Sequence, residues 1–504
     1  MGAGSVQADL IVVGAGSAGA TLAGIIARDT TLRVLLLEAG PDYGHYSEGR
    51  WPADILDAKQ FALSHQWAYA GKAHPSHTHL TGFDRARIMG GCSAHNGCVA
   101  LVGHRCDYDG WAALGNTGWD WESVAPAFER AKRAMRVRIP TDDEITPFQR
   151  IFVEGAVAAG WPRSADLNDP DEILGVAASP ANIDGGVRWN TALAYIDPVR
   201  ENANLTIVPD ALVDKVDIQN GRAVAVEAII DFERKRFEAP VIVLSGGAYG
   251  SPMILMRSGV GPAAHLRDLG IPIVQQLEGV GRHLNDHPST SLLLDAPAWF
   301  DAEMDAFAAE KWLPDEQTLA KFRSSVCEEG FDVHIVGLTQ RDQATQKWRY
   351  RVGVYLVDSR GNGSLTLSSP KPSDHPILDH QLIQDPDNHD ITAMLDGLET
   401  AIEWMHTAPY TRVFGAGPET ASREDLAEYL RSGIRHAYHP VSTCHMGPDS
   451  DPLAVVDPRG KVYGIEGLYV CDASIFPRVM RANTNLPAIM LGEHMAGWIA
   501  EAAR

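Results

Sequence analysis

The chain has 504 residues, a formal net charge of −22, six cysteines and 47 glycines. Nucleic acids and anionic membranes repel a strongly negative surface, so neither is expected as the main partner. No run approaches the ~20 apolar residues that cross a bilayer, and residues 1–7 lack the basic start and apolar core of a signal peptide. The cysteines show no CxxC spacing, which favours reduced thiols and a cytoplasmic location over a disulfide scaffold or a zinc site.

The first forty residues predict a dinucleotide-binding unit. A short apolar strand over residues 9–13 leads into Gly14-Ala15-Gly16-Ser17-Ala18-Gly19, and a helix over 20–28 and a strand over 33–37 follow. Gly14 permits the tight turn, Gly16 lets a pyrophosphate approach the backbone, and Gly19 lets the helix pack closely against the strand. The amides at the helix start can hold phosphates, and Glu38 can accept hydrogen bonds from ribose hydroxyls. This unit alone leaves FAD and NAD open.

Glycine-rich corners, strands and helices alternate along the next part of the chain. Residues 87–98 are too rich in glycine and small residues for a regular core helix, whereas residues 108–135 carry a helical pattern. Strands are predicted at 205–208, 213–218 and 223–230, with Asn220-Gly221 as a hairpin turn. Another apolar strand over 240–244 ends in a glycine-rich corner, and we expect a helix to begin near Met253.

Residues 296–330 are the least patterned segment, and we expect a loop or lid of a substrate domain there. The segments 333–338, 349–357 and 363–367 alternate like strands of an antiparallel sheet. Helices are predicted at 390–406, 422–432 and 487–502, the last with a proline in its first turn. A strand that begins at Leu468 carries Asp472 at its C-terminal end. Because no low-complexity linker separates these segments, the domains are expected to interleave.

Five separated blocks resemble the glucose–methanol–choline (GMC) oxidoreductase family. They are Val13–Gly19, Met89–Cys98, Gly247–Pro262, Gly279–Pro288 and residues 435–504. The resemblance implies an α/β fold, α+β overall, in which a Rossmann-type FAD-binding domain is interleaved with a substrate domain built on an antiparallel sheet flanked by helices. It further implies a mainly FAD-binding part at 1–295, with helical and cap segments near 45–200, a substrate-binding part at 296–450, and a return to the FAD domain at 451–504.

The implied chemistry is FAD-dependent oxidation of a primary alcohol to an aldehyde by hydride transfer to flavin N5. Residues 438–447 resemble the family's His-Pro-x-Gly-Thr motif, which makes His439 the catalytic base. Asn483 occupies the family's second catalytic position and would hydrogen-bond the developing alkoxide. In the family, the positive N-terminus of the helix near Pro487 points at the flavin and favours its reduced, anionic form.

Three further residues near His439 carry their own expectations. Ser442 and His445 depart from the glycine and arginine that relatives often have, and the Ser442 hydroxyl is expected to shift His439 slightly. We expect His436 to be a surface residue.

The resemblance also implies which residues hold the cofactor. The positions carried over are Gly14, Gly16, Ser17, Ala18, Gly19, Glu38, Ala39, Met89, Gly90, Gly91, Ser93, His95, Asn96, Gly97, Val213, Gly247, Asp472, Ala473, Asn483, Thr484 and Asn485. In the choline-oxidase branch a histidine at the position of His95 bonds covalently to the flavin 8α-methyl group. A covalent link between His95 and FAD is therefore a hypothesis, and its alternative is a hydrogen-bonding histidine beside a non-covalent flavin.

The substrate and the electron acceptor stay open at this point. Choline would need a carboxylate and an aromatic wall around its trimethylammonium group. Glu310, Trp312, Glu328 and Glu329 lie in the expected region without a matching motif, so choline is not favoured over a small aromatic, heteroaromatic or aliphatic primary alcohol. Oxygen and another acceptor are both compatible with the sequence, as is a homodimer. The alternatives from other classes are a lyase like hydroxynitrile lyase, which keeps FAD without redox chemistry, and a non-catalytic flavoprotein.

Overall fold

A parallel sheet forms the centre of one half of the molecule. The computed structural model describes residues 7–59, 61–311, 316–342, 345–418 and 421–504. The parallel strands lie in the order Leu468–Val470, Val241–Leu244, Leu10–Val13, Val34–Leu37 and Leu205–Val208. The three central strands are buried at every position, which explains their continuous apolar sequences.

A six-stranded antiparallel sheet forms the second large sheet of the molecule. Its strands lie in the order Arg435–His436, Pro288–Leu294, Trp348–Leu356, Val333–Arg341, Glu316–Phe322 and Gly175–Ala178. The helix His389–Met405 packs against the two central strands of this sheet. Two of the strands, Gly175–Ala178 and Pro288–Leu294, come from before residue 296. The division at residue 296 stays a prediction, and the chain crosses between the two sheets more often than that division implies.

Helices cover both sheets. Ser17–Asp29 and Asn485–Ala502 pack against each other beside the parallel sheet. The other α-helices are Ala53–Leu56, Arg105–Ala113, Trp121–Ala134, Pro147–Ala158, Gly247–Arg257, Ala263–Asp268, Ala298–Glu310, His389–Met405, Ala408–Phe414 and Arg423–Gly433. Short 3₁₀ or π turns occupy Tyr46–Glu48, Gly91–Ala94, Ala192–Ile196, Asp197–Val199 and Ala473–Ile475.

Smaller sheets complete the fold. One joins Glu233–Glu238, Arg222–Ile230 and Leu212–Gln219 in antiparallel order. Its turn at Asn220-Gly221 has positive φ at both residues, which confirms the predicted hairpin turn. The two-stranded sheets pair Ala70–Gly71 with Thr81–Gly82, Ile183–Asp184 with Val187–Arg188, Val260–Gly261 with Gln275–Gln276, and Ser364–Thr366 with Ile377–Asp379.

Three predictions about local structure need correction. The segment 296–330, expected to be a loop or lid, contains the helix Ala298–Glu310 and the strand Glu316–Phe322 of the six-stranded antiparallel sheet. Its strand was hidden because it buries polar residues: the Lys321 ammonium, for example, donates to the backbone carbonyls of Asp169 and Glu172. The helix expected near Met253 already begins at Gly247, and the strand Ser364–Thr366 belongs to a separate two-stranded sheet. Trp312 lies outside the described residues.

Candidate active site and cofactor cleft

The loop Gly14–Gly19 forms the first wall of a cleft at the carboxyl end of the parallel strands. Gly14 has φ of +99°, and a Cβ atom there would lie 2.4 Å from the Ser245 carbonyl oxygen. Gly16 caps the helix Ser17–Asp29 and has no side chain to satisfy the amides of its first turn. These amides are therefore available to an anion, as the sequence predicts.

Glu38 fixes the shape of this loop. Its Oε2 accepts the Ala15 amide at 2.8 Å and its Oε1 accepts the Gly40 amide at 2.9 Å. Burial raises the pKa of the Glu38 carboxyl to about 7, against hydrogen bonds from those amides that lower it. The neighbouring Ala39 carbonyl accepts a hydrogen bond from Arg87 at 2.9 Å. Glu38 thus ties the glycine loop to the end of the second strand.

The glycine-rich stretch that follows Met89 forms the second wall. The Gly90 amide donates to the Ala15 carbonyl at 2.8 Å, and a Cβ atom on Gly91 would lie 2.6 Å from the Gly16 Cα. The hydroxyl of Ser93 is used inside the wall, where it donates to the Gly90 carbonyl at 2.6 Å. The two predicted cofactor loops therefore touch along their backbones.

His95 lies at the end of this second wall. Its Nε2 atom is buried and finds no hydrogen-bond partner among the described residues. Burial lowers the pKa of this imidazole to about 4, so the ring is neutral at pH 7. Its neighbour Asn96 uses its side-chain oxygen to accept the Cys98 amide at 3.1 Å, and Gly97 lies beside the ring of Phe61.

Asp472 joins the C-terminal segment to the second strand–glycine–helix corner. Its Oδ2 accepts the Gly247 amide at 2.9 Å and the Ser251 hydroxyl at 2.6 Å, while Oδ1 accepts the Ser474 amide at 2.8 Å. Ala473 pairs with the segment of His439 by accepting the Ser442 amide at 3.2 Å. Val213 is buried in its strand next to the same corner.

The start of the C-terminal helix meets the start of the N-terminal helix. Asn485 Oδ1 accepts the hydroxyl proton of Ser17 at 2.8 Å, although 468 positions separate the two residues. Thr484 precedes the helix without a side-chain hydrogen bond to its first turn within the described residues. Two helix N-termini therefore face the same region, which favours negative charge there.

His439 and Asn483 meet in a small pocket that is lined largely by strands of the antiparallel sheet. Asn483 Nδ2 lies 3.4 Å from His439 Nε2. The pocket is lined by His287, Glu316, Leu319, His334, Val336, Tyr355, Val357, His439 and Asn483. A larger cavity of about 270 Å³ lies elsewhere, between Arg28, Arg130, Tyr195 and Glu493, and shares none of these residues.

A buried ion-pair network anchors the segment that carries Asn483. The Arg481 guanidinium pairs with Asp107 and lies 2.7 Å from Asp358, and the Arg481 amide donates to Asp107 at 3.0 Å. Burial by itself lowers the pKa of the Arg481 guanidinium, but the surrounding carboxylates raise it above the ordinary value. The network holds Asn483 in place two residues further along the chain.

Asp286 holds two of the three histidines that line the pocket, His287 and His439, by their backbones. Its Oδ1 accepts the amides of His287 and His439, each at 2.8 Å. Burial alone would raise the pKa of the Asp286 carboxyl, but the nearby imidazoles of His436, His380 and His439 hold it below its usual range. A negative charge therefore lies behind His439.

His287 contacts His439 directly. The two Nδ1 atoms are 2.9 Å apart, and His287 Nε2 lies 3.0 Å from the Met480 carbonyl oxygen. Burial lowers the pKa of His287 to about 4. Burial, followed by the electrostatic effect of the adjoining His287 ring, lowers the pKa of His439 well below its usual value. Both imidazoles are neutral at pH 7.

Sequence reasoning missed the roles of Asp286, His287 and Glu316 at this site. Asp286 and His287 stand in one of the five family-like blocks, but no role followed from them because nothing in the sequence shows their distance from His439. Glu316 falls in the segment that seemed unpatterned, and its carboxyl faces the pocket. The acidic and histidine character of these residues was the available signal.

The expectation for His436 is wrong, and those for its neighbours can be refined. His436 is only 5% exposed because its short strand pairs with Pro288–Leu294, and its Nε2 lies 2.8 Å from the Gly82 carbonyl. Ser442 has φ of +74°, which explains why a glycine fits this position in relatives. His445 pairs with Asp451 at 3.0 Å.

Comparison with known proteins places this cleft in a family. Family models described as GMC oxidoreductase match residues 8–289 and 359–492. The chain belongs to the GMC oxidoreductase family. The oxygen-dependent choline dehydrogenase of Rhizobium etli is 30% identical over 98% of this chain and 96% of its own length. The mitochondrial choline dehydrogenase of Mus musculus is 32% identical over 96% of this chain and 88% of its own.

Solved structures support the same fold for this GMC oxidoreductase. Pyridoxine 4-oxidase from Mesorbium loti superposes with a TM-score of 0.86 at 24% identity, covering 98% of this chain and 99% of its own. A formate oxidase superposes with a TM-score of 0.84 at 21% identity, covering 99% of each chain. The predictions of the family, the fold, FAD as cofactor and a FAD-dependent oxidoreductase acting on alcohols are confirmed.

The residues of the cleft fit FAD. The uncapped first turn of Ser17–Asp29 leaves amides for a pyrophosphate, a Cβ atom on Gly14 or Gly91 would collide with the facing backbone, and His95 keeps a buried ring nitrogen without a partner among the described residues. The individual contacts assigned to the carried-over positions stay predictions. Within the described ranges, no helix combines the length and apolar character needed to cross a bilayer.

Proposed function

We propose that this GMC oxidoreductase oxidises a primary alcohol to an aldehyde, with His439 as the base for the hydroxyl proton and Asn483 as a hydrogen-bond donor to the alcohol oxygen. FAD supplies the chemistry of hydride acceptance, at its N5 atom. The observation that carries the proposal is the 3.4 Å approach of Asn483 Nδ2 to His439 Nε2 within one lined pocket.

The state of His439 suits the role of a base. Because burial lowers its pKa well below the usual value, the ring is unprotonated at neutral pH and can accept a proton. The Asp286 carboxylate near its backbone stabilises the positive charge that the accepted proton creates. Asn483 can donate to an alkoxide without competing for that proton, because an amide does not ionise at this pH.

The glycine walls, Glu38 and the first turns of Ser17–Asp29 and Asn485–Ala502 would hold the cofactor. A covalent link through His95 remains a hypothesis, supported by its neutral ring with an unpartnered Nε2. Acid precipitation of the purified protein tests it. Colour that stays with the precipitate supports the link, and free flavin in the supernatant contradicts it.

Glu316 favours an alcohol with a positive group as a second candidate substrate class. Glu316 lines the pocket. Burial raises the pKa of its carboxyl to about 7. A cation beside it would restore the charged form, and the Tyr355 ring lies on the same wall. Choline, named for two relatives, is such an alcohol.

An anaerobic screen of primary alcohols tests the proposal. The protein is mixed with each alcohol in the absence of oxygen, and flavin absorbance near its visible maximum is followed. Bleaching by at least one alcohol is expected, after which oxygen and a dye are compared as acceptors. A lyase or a non-catalytic flavoprotein would leave the flavin oxidised with every alcohol. A cytoplasmic location and a homodimer stay predictions.

A further inference from the structure

His287 lies between a backbone carbonyl and the ring of His439. Its Nε2 is 3.0 Å from the Met480 carbonyl oxygen, and its Nδ1 is 2.9 Å from His439 Nδ1. His287 is 1% exposed. The two ring planes stand at 78°, so this contact joins ring edges and is not a stack.

The carbonyl fixes the protonation of His287. A carbonyl oxygen can only accept a hydrogen bond, so His287 Nε2 carries a proton. A neutral imidazole has one N–H, and a buried ring without a paired carboxylate on its side chain stays neutral. His287 Nδ1 therefore presents a lone pair to its neighbour.

The protonation of His439 follows from that of His287. Two nitrogens 2.9 Å apart share one proton, and His287 Nδ1 has none to give, so His439 Nδ1 is the donor. The neutral His439 ring then has no proton on Nε2, the atom that faces Asn483 Nδ2. The Asn483 side-chain N–H can donate to that lone pair. The contact between Asn483 and His439 is therefore consistent with the protonation that the Met480 carbonyl imposes on His287.

We propose that His287 is a positioning residue that keeps the proton of His439 on Nδ1, so that Nε2 is free to accept the hydroxyl proton of the substrate. This inference rests on the proposed function, because it assigns a direction to the proposed base. The alcohol O–H bond breaks, an N–H bond forms at His439 Nε2, and the resulting imidazolium keeps its Nδ1–H bond to His287. Met480 contributes only its backbone, so its side chain is irrelevant to this role.

The surrounding structure leaves this arrangement little freedom. Asp286 Oδ1 holds the amides of both histidines, and His287 is followed by a strand that pairs with Trp348–Leu356 and Arg435–His436. Loss of the His287 acceptor would leave the Nδ1–H of His439 unpaired in a buried site. The His439 tautomer with its proton on Nε2 would then be favoured, and in that tautomer Nε2 has no lone pair with which to accept the hydroxyl proton of the substrate.

Two near-isosteric substitutions separate this role from packing. Asn and Leu have almost the same shape, but only Asn offers an oxygen that can accept the His439 Nδ1–H. We expect His287→Leu to lower kcat about a hundredfold, the scale of general-base catalysis, with KM within about threefold of wild type. His287→Asn should keep kcat within about tenfold of wild type.

Flavin content and thermal unfolding are measured for both variants as controls. If either variant fails to take up FAD, the pair His287→Met and His287→Gln, again alike in shape, is compared by the same criterion. Equal kcat values within the pair, or an unchanged kcat in the variant that cannot accept a hydrogen bond, would overturn the inference. His439→Asn separates the two proposals. Flavin reduction at the wild-type rate in this variant would contradict the proposed function, whereas slow reduction in it together with equal kcat values in the His287 pair would contradict only the role of His287.

Discussion

The cofactor cleft and the pocket around His439 are assembled in different ways. The cleft is made of contiguous loops whose backbones touch, as where Gly91 approaches Gly16. The pocket is made of side chains from positions far apart in the chain, such as His287, His439 and Asn483. Backbone sites therefore depend on the absence of side chains, whereas the pocket depends on which hydrogen-bonding atoms its side chains present.

The largest effect is expected from a methyl group in the backbone-built cleft. Gly14→Ala would place a Cβ atom 2.4 Å from the Ser245 carbonyl, so we expect loss of bound flavin and a marked fall in thermal stability. Gly49→Ala is the matched control, because Gly49 also has positive φ, +66°, but nothing lies within 4 Å of its added Cβ. It should cost only about 1 kcal/mol and keep its flavin. Similar flavin content in both variants would contradict the crowding of the cleft.

Acid should destabilise the protein through the buried neutral histidine His380, which lies outside the pocket, with its Nδ1 3.8 Å from Asp286 Oδ2. Burial lowers the pKa of His380 to about 3, so below pH 6.5 the unfolded chain binds a proton at this residue that the folded chain does not. The free energy of unfolding should thus fall with decreasing pH, by about 1.4 kcal/mol per unit between pH 6.5 and pH 4 for this group. His380→Phe should lack this part.

The measurement for this prediction is the difference in unfolding free energy between wild type and His380→Phe, from denaturant titrations at several pH values. Phe keeps a ring to stack on Phe83, whose centroid is 4.0 Å from that of His380. A difference that does not change with pH would mean that His380 titrates alike in the folded and unfolded chains.

Glu316 tests the pocket by charge. We expect Glu316→Gln to raise KM for choline about tenfold, which corresponds to ~1.4 kcal/mol, because the amide cannot pair with a cation. The neutral isostere 3,3-dimethylbutan-1-ol should be little affected, and steady-state kinetics with both alcohols provide the measurement. An equal change in KM for the two alcohols would show that Glu316 does not bind the positive charge of the substrate.

The smallest effect is expected at Ser442, where a side chain stands in left-handed backbone. Its φ is +74° and its buried Oγ has no partner among the described residues. Ser442→Gly should be more stable than Ser442→Ala by roughly 1 kcal/mol, because only glycine avoids the clash of a Cβ atom in this conformation. Denaturant midpoints provide the measurement, and an alanine variant at least as stable as the glycine variant would disprove backbone strain.

The same contrast explains what could be predicted from the sequence. The loop Gly14–Gly19 lies between two strands that are apolar throughout, so order along the chain was enough to predict its form. His439 and Asn483 were found only through family resemblance. Glu316 and His287 were missed because their roles depend on distances between segments, and His436 was misplaced because its burial comes from pairing with Pro288–Leu294.

In the proposed reaction, the imidazole of His439 removes the hydroxyl proton as the alcohol is oxidised. The most direct test is the rate of anaerobic flavin reduction by an alcohol that bleaches the wild-type protein, measured in His439→Asn at equal flavin content. His445→Asn is the control, since His445 lies in the same segment but pairs with Asp451 outside the pocket. We expect the flavin of His439→Asn to be reduced about 10²- to 10⁴-fold more slowly and that of the control at a near-normal rate. Reduction of His439→Asn at the wild-type rate would show that His439 is not the base.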